Sequence, residues 1–389
     1  MKIGIIDADL IGREKHRFPN LVCEKISGYW KERNAEVHLL MDYNWPEDYD
    51  HIYIAKVFTD TEAPAWLKES DKVHMGGTGF YFDKAPNLPP EIEHHMPDYS
   101  LYDEWIEEEV ANAEYAAKRA GKNFNKKAFM AQFKEYTDYS IGFLTRGCFR
   151  KCKFCVNQKY DHVFKHSPLD EFYDSSRKKI CLLDDNFFGY GQWKPLMEEL
   201  IQTGKAFKFK QGLDERLLTD EKCALLFSSH YDGDLTFAFD NIEDYDLIHS
   251  KLKLLRKYAP KKSIKFYVLV GFKSTDELDI ENAFKRIELL MQYKCLPYIM
   301  RYQDKNNTPW KKSKLRGMYI SMARWCNQPS IFKKMSFRQF CIANQERHKT
   351  QGTLCSAMQA LTDFEKANPE LAERYFDLSF ADFKLEGEK

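Results

Sequence analysis

From Lys2 to Tyr302 the chain repeats one pattern: a short run rich in branched and aromatic residues, a turn, then a stretch with helical spacing. Runs at 2–6, 35–40, 51–57 and 72–75 form a first set, with an amphipathic helix expected over 21–33; runs at 140–144, 179–183, 206–211, 235–239, 264–270 and 296–302 form a second. Strands separated by helices are joined by crossovers, so they pair in parallel with helices covering the sheet. The first set predicts a small doubly wound α/β domain. The second makes six β-α units, too few for a closed eight-stranded barrel, and predicts an open, partial (β/α)6 barrel. Four segments follow: the small domain over 1–100, a linker with surface helices over 101–138, the partial barrel over 139–303 and a helical region over 304–389. Functional residues of such sheets belong at the carboxyl ends of the strands.

The run at 140–144 leads into Cys148-Phe149-Arg150-Lys151-Cys152-Lys153-Phe154-Cys155, three cysteines inside eight residues. Spacings of three and two let one short loop aim three sulfurs at a common point, and Gly147 relaxes the backbone just before them. Such an odd trio cannot pair internally as disulfides. Thiolates suit iron-sulfur clusters and zinc. A 4Fe-4S cluster normally takes four cysteines, so three leave one iron open to a substrate or cofactor. Structural zinc wants a fourth protein ligand, which His162 or His166 would supply. Arg146, Arg150, Lys151 and Lys153 crowd the loop with positive charge, which offsets the negative charge of a thiolate-ligated centre.

This Cys-x3-Cys-x2-Cys loop, with the aromatic Phe154 just before its last cysteine, resembles the signature of the radical S-adenosylmethionine (radical SAM) superfamily. The resemblance implies that Cys148, Cys152 and Cys155 hold a 4Fe-4S cluster whose fourth iron chelates the amino and carboxylate groups of SAM, with Phe154 near the adenine. It implies that an electron, delivered by a reductant protein such as a flavodoxin or ferredoxin, splits SAM into methionine and a 5'-deoxyadenosyl radical. That radical then abstracts hydrogen from a substrate, which the sequence does not identify. The first hundred residues resemble in organisation the Rossmann-like, cobalamin-binding-type domain that precedes many such cores. Where that domain carries a histidine for cobalt, Asp7-Ala8-Asp9-Leu10-Ile11-Gly12 has Asp9, and a carboxylate is a poorer partner for cobalt than imidazole. The run Gly76-Gly77-Thr78-Gly79 is either a phosphate cradle or a turn.

Further candidates stand at the later strand ends. Asp184-Asp185-Asn186-Phe187-Phe188-Gly189 resembles the Asp-Asp-x-Phe segment of radical SAM enzymes with an amino-terminal cobalamin-type domain, which makes Asp184, Asp185 and Asn186 candidate acceptors for the SAM ammonium. The competing role is an Asx turn. Arg216 is placed to pair with the SAM carboxylate through its planar fork, or with Asp214 or Glu215. Asp240 is a candidate for the ribose hydroxyls or a cap for the helix beginning near Glu243. Gly271 matches the glycine that lets adenine approach a strand end.

The 59 basic and 59 acidic residues cancel, so no global field draws the chain to nucleic acid or membrane. Seven cysteines scattered singly, and an amino terminus too short in apolar residues for a signal peptide, indicate a cytoplasmic protein with reduced thiols. No stretch reaches the ~18 apolar residues that span a bilayer. Residues 304–349 hold eleven Lys or Arg against two acids, interleaved with Trp310, Tyr319, Trp325, Phe332, Phe337 and Phe340. That pattern fits a nucleic-acid surface, or a helical layer with rings inward and charges outward. Two functions follow: a radical SAM enzyme, or a zinc-stabilised nucleic-acid-binding module without catalysis.

Overall fold

The computed structural model describes residues 1–44, 49–303, 308–350 and 352–385. The chain divides into two compact units, Met1–Lys210 and Gln211–Lys389. Both are mixed α/β and both are built on parallel sheets.

In the first unit β1 (Lys2–Asp7), β2 (Glu36–Leu39), β3 (His51–Ala55) and β4 (Val73–Gly76) form a parallel sheet in the order β2-β1-β3-β4. Ile3, Ile5 and Ile6 of β1 are all fully buried, on both faces, which explains a continuous apolar run in place of an alternating one. The helix Leu21–Glu32 starts where the Asn20 side chain accepts from the Val22 N–H and stops before Asn34, which adopts a left-handed conformation. Its apolar stripe packs on the sheet through Cys23 and Ile26.

The segment 101–138, expected as a linker with surface helices, is instead partly core. Tyr102, Trp105, Ile106 and Val110 make a stripe at helical spacing along the helix Asp103–Arg119, and with Phe133 and Tyr136 they join Ile3, Ile5 and Leu10 in one cluster. The acidic run Glu107-Glu108-Glu109 lies between the buried positions and hides the stripe in a reading by composition.

Among the described residues five strands complete this unit: β5 (Tyr139–Gly142), β6 (Thr145–Arg146), β7 (Phe164–Lys165), β8 (Lys179–Leu182) and β9 (Ala206–Phe209). β5, β8 and β9 form a parallel sheet in that order, while β6 and β7 make a two-residue antiparallel ladder. Phe172 lies directly over Gly142, where an added Cβ would come within 2.2 Å of its ring. The side-chain-free position lets the crossover return across β5.

The second unit holds β10 (Leu235–Ala238), β11 (Ile264–Val270) and β12 (Leu296–Arg301), parallel and in that order. The six strands expected in one partial barrel are thus three in each unit. Helices Tyr245–Tyr258 and Glu277–Gln292 join them, and a helical region follows from Pro309. Its rings point inward: Trp310, Tyr319, Trp325, Phe332, Phe337 and Phe340 are each 4% exposed or less, and Trp325 meets Phe332 and Phe337 at ring separations of 4.9 and 5.5 Å. A buried ring cannot stack on a base, so the aromatic half of the nucleic-acid reading is overturned and amphipathic packing accounts for the spacing. Residues 304–307 of that basic stretch lie outside the described residues. Among the described residues no helix is long and apolar enough to cross a membrane.

Candidate metal centre

The cysteine loop hangs from a closed base. Thr145 pairs with Lys165 and Arg146 with Phe164 across β6 and β7, and the ladder continues through the His166 N–H, which donates to the Leu144 carbonyl at 2.8 Å. Gly147 leaves this base with φ +89°, and a Cβ there would stand 2.2 Å from the His162 carbonyl oxygen on the returning arm. Only glycine meets both demands.

Three consecutive side chains at the end of β8 grip the chain as it enters the loop. Asp184, fully buried, accepts from the Thr145 N–H at 2.6 Å, the Thr145 hydroxyl at 2.7 Å and the Leu144 N–H at 3.2 Å. Asp185 accepts from the Gly147 N–H at 2.8 Å. Asn186 donates its amide N–H to the Cys148 sulfur at 3.4 Å. Burial pushes the Asp184 carboxyl up to about 7, against the pull of the Thr145 and Leu144 donors, and the neighbouring Asp185 raises it further. The sequence marks these residues as functional; their partners here are backbone and sulfur of the loop.

Within the loop, the Arg150 N–H donates to Cys148 Sγ at 3.4 Å and the Asn157 N–H to Cys155 Sγ at 3.3 Å. The Gln158 amide donates to the carbonyls of Cys152 and Cys155, at 2.6 and 2.9 Å, and so ties the second and third cysteines to one another. Cys148, Cys152 and Cys155 are half-buried, as is Phe154. By contrast Cys23, Cys181, Cys223, Cys295, Cys326 and Cys341 are buried, and burial pushes the Cys295 thiol up to about 11. Sulfurs that receive N–H bonds on a partly exposed loop suit thiolate ligation; a thiol held neutral in a core does not. Among the described residues no three His, Cys, Asp or Glu side chains already stand grouped as a metal site, so the cysteines fit a cluster by donor chemistry and not by a preformed cage.

The two histidines of the zinc alternative differ. His162 is exposed and meets Asp161 through Nδ1 at 2.8 Å, a bond that a zinc-ligating imidazole commonly makes. His166 lies 3.0 Å from the Ser167 hydroxyl and 3.3 Å from Glu93. Glu93 collects His166, Lys25 and, at 3.9 Å, Arg146. Its burial alone would raise the carboxyl, yet the His166 hydrogen bond and the charges of Lys25 and Arg146 hold it down at about 2. This ion cluster behind the loop has no sequence signal, since its members come from separate segments of ordinary composition.

The remaining candidates belong to the second unit and are satisfied there. Arg216 pairs with Asp214 at 2.7 Å and Asp244 at 3.4 Å, the ion-pair alternative. Burial pushes Asp240 up to about 6, with Arg286 opposing. The Arg286 guanidinium, itself 2% exposed, donates to the carbonyls of Phe239, Asp240 and Leu269 at 2.9 to 3.0 Å and so fixes the carboxyl ends of β10 and β11. Gly271, at φ +71°, faces Trp310, whose Cβ stands 2.9 Å from where a Cβ of residue 271 would lie. The room its missing side chain leaves is taken by an indole.

At the end of β1, Asp9 accepts from the Thr61 hydroxyl at 2.5 Å and the Val57 and Phe58 N–H groups at 2.6 and 3.4 Å. A carboxylate so occupied latches the β3 loop and does not fit an axial ligand of cobalamin. Gly77 and Gly79 pack on Lys56, where Cβ atoms would come within 2.2 and 2.7 Å of it, which favours the turn over the phosphate cradle.

No family model and no curated protein matches the chain. Seven chains of solved structures do. Among them is a cobalamin-dependent S-adenosylmethionine radical enzyme, OxsB, with aqua-cobalamin bound, similar at a TM-score of 0.33 and 11% identity over 96% of this chain and 56% of that one. The present chain thus spans about half the length of that protein, and similarity at this level is too low to define a shared fold.

Proposed function

We propose that the protein is a radical SAM enzyme in which Cys148, Cys152 and Cys155 hold a 4Fe-4S cluster. The observation that carries this reading is a half-buried three-cysteine loop closed at its base by β6 and β7, with N–H donors directed at its sulfurs. Three thiolates leave one iron open, and the bound cluster would supply the single electron that cleaves SAM reductively for hydrogen abstraction from a substrate.

The chain's own residues have separate tasks in this reading. Asp184 and Asp185 fix the backbone from Leu144 to Gly147, so that Cys148 starts from a defined position. Gln158 keeps Cys152 and Cys155 in register with one another. Phe154 provides a flat apolar surface beside the last cysteine, suited to an adenine. The zinc alternative loses His166, whose two ring nitrogens meet Ser167 and Glu93; His162 meets Asp161 through Nδ1, a bond compatible with ligation through Nε2, so for that residue the metal content decides. The substrate class is left open by the radical step, which serves many reactions.

The test is anaerobic reconstitution with iron and sulfide, then addition of SAM and a strong reductant and quantification of 5'-deoxyadenosine. A brown protein that forms 5'-deoxyadenosine above the level of a triple-cysteine variant supports the proposal. A colourless protein retaining zinc refutes it.

A further inference from the structure

Asp184, Asp185 and Asn186 differ in what they can offer. The two carboxylates accept from backbone N–H groups, whereas the third side chain faces a sulfur, and a thiolate needs a donor. An amide supplies one; a carboxylate would bring like charge against like. Asn186 is 3% exposed, so water does not compete for its bond to Cys148 Sγ. The Arg150 N–H donates to the same sulfur at 3.4 Å, but only the Asn186 bond comes from a side chain that substitution removes while the backbone stays.

We propose that Asn186 is a positioning residue for the cluster: its N–H···S bond orients Cys148 and sets the reduction potential of the bound centre. The proposal rests on the cluster reading above. Hydrogen bonds to cluster sulfurs stabilise the extra negative charge of the reduced state and so raise the potential. Loss of the donor makes the centre harder to reduce, and replacement by a carboxylate makes it harder still. The segment then acts in sequence along the loop entrance: Asp184 holds Thr145, Asp185 holds Gly147, and Asn186 holds the first ligand.

The experiment is a redox titration, followed by electron paramagnetic resonance, of the reconstituted full chain and its Asn186→Ala and Asn186→Asp variants. Asn157→Ala is the control, because residue 157 donates to Cys155 through its backbone. The expected midpoint order is wild type and Asn157→Ala highest, Asn186→Ala lower and Asn186→Asp lowest. An Asn186→Ala protein with full iron content and the wild-type midpoint overturns the proposal and leaves the cluster reading standing. A wild-type chain that takes up no iron and sulfide overturns both. If Asn186→Ala retains no cluster, Asn186→Gln and Asn186→Ser decide: retention by these donor-bearing variants supports the role, and loss in both overturns it.

Discussion

Replacing Asp184 tests the grip on the loop entrance most directly. Asp184→Ala removes the acceptor for three buried donors, two N–H groups and one hydroxyl. Each orphaned donor costs roughly 1–3 kcal/mol. Water entering the vacated space and relief of the buried carboxyl offset part of this, so the net loss is about 2–4 kcal/mol. Asp184→Asn keeps the shape but turns an NH2 towards one of those donors, for a loss of about 1–2 kcal/mol. The pH dependence has a defined sign. Because the folded carboxyl titrates at about 7, above its ordinary 3.8, its contribution to stability is fully present below 3.8 and lost as pH rises through 7. Stability of the first unit therefore falls from about pH 4 to about pH 7 in the wild type by this group's share and levels off above that, and Asp184→Asn flattens that fall. The assay is hydrogen exchange with mass spectrometry on peptides covering 139–150, read across a urea series at pH 5, 6.5 and 8. Unchanged protection in Asp184→Ala, or the same pH slope in Asp184→Asn, refutes the reasoning.

Gly147→Ala combines a left-handed backbone, about 1–2 kcal/mol, with an overlap against the His162 carbonyl; it should separate β6 from β7 and lower retained iron, measured by colorimetric iron assay. Cys148→Ala should abolish iron retention in the same assay, whereas Cys326→Ala, a core thiol 2% exposed, should keep full iron and lose about 1 kcal/mol of stability. Glu215, 1% exposed and accepting from the Ala238 N–H, is pushed by burial up to about 8, with Asp214 adding to the rise. Its stabilising contribution is therefore present below pH 4.5 and lost as pH rises through 8, and Glu215→Gln should unfold at a higher temperature than wild type at pH 9 but not at pH 5; an equal difference at both would contradict this.

Every strand of the three parallel sheets was legible as an apolar run, with ends displaced by at most three residues, because buried parallel strands carry their signal in every position. The two-residue strands β6 and β7 were not, since two residues show no periodicity. The cysteines stand out as candidate ligands by spacing alone. Asp184, Asp185 and Asn186 stand out as candidates too, but not as supports of the loop: they reach it across 38 to 40 residues of sequence, and a single chain gives no sign of which distant backbone N–H a carboxylate will meet. The same limit applies to Gly271. Its place at a strand end is visible in sequence; the Trp310 ring that fills the space beside it comes from a helix 39 residues later. In the stretch from 304 two readings stayed open for a different reason, because aromatic spacing is the same whether a ring faces a base or a core; burial selects the helical layer.

The two-residue ladder beneath the cysteines separates the fate of the loop from that of the unit that bears it. With the arms pinned at Thr145–Lys165 and Arg146–Phe164, the entropy of bringing them together is met by protein–protein bonds before any metal arrives. Oxidative damage to a bound cluster would then release the segment between the arms while the sheets beneath stay assembled. Lys151 and Lys153, both exposed at its tip, become the points where a trypsin-like protease first cuts. On the cluster reading the loop would act as a replaceable fuse, failing and being refilled without the rest of the chain unfolding.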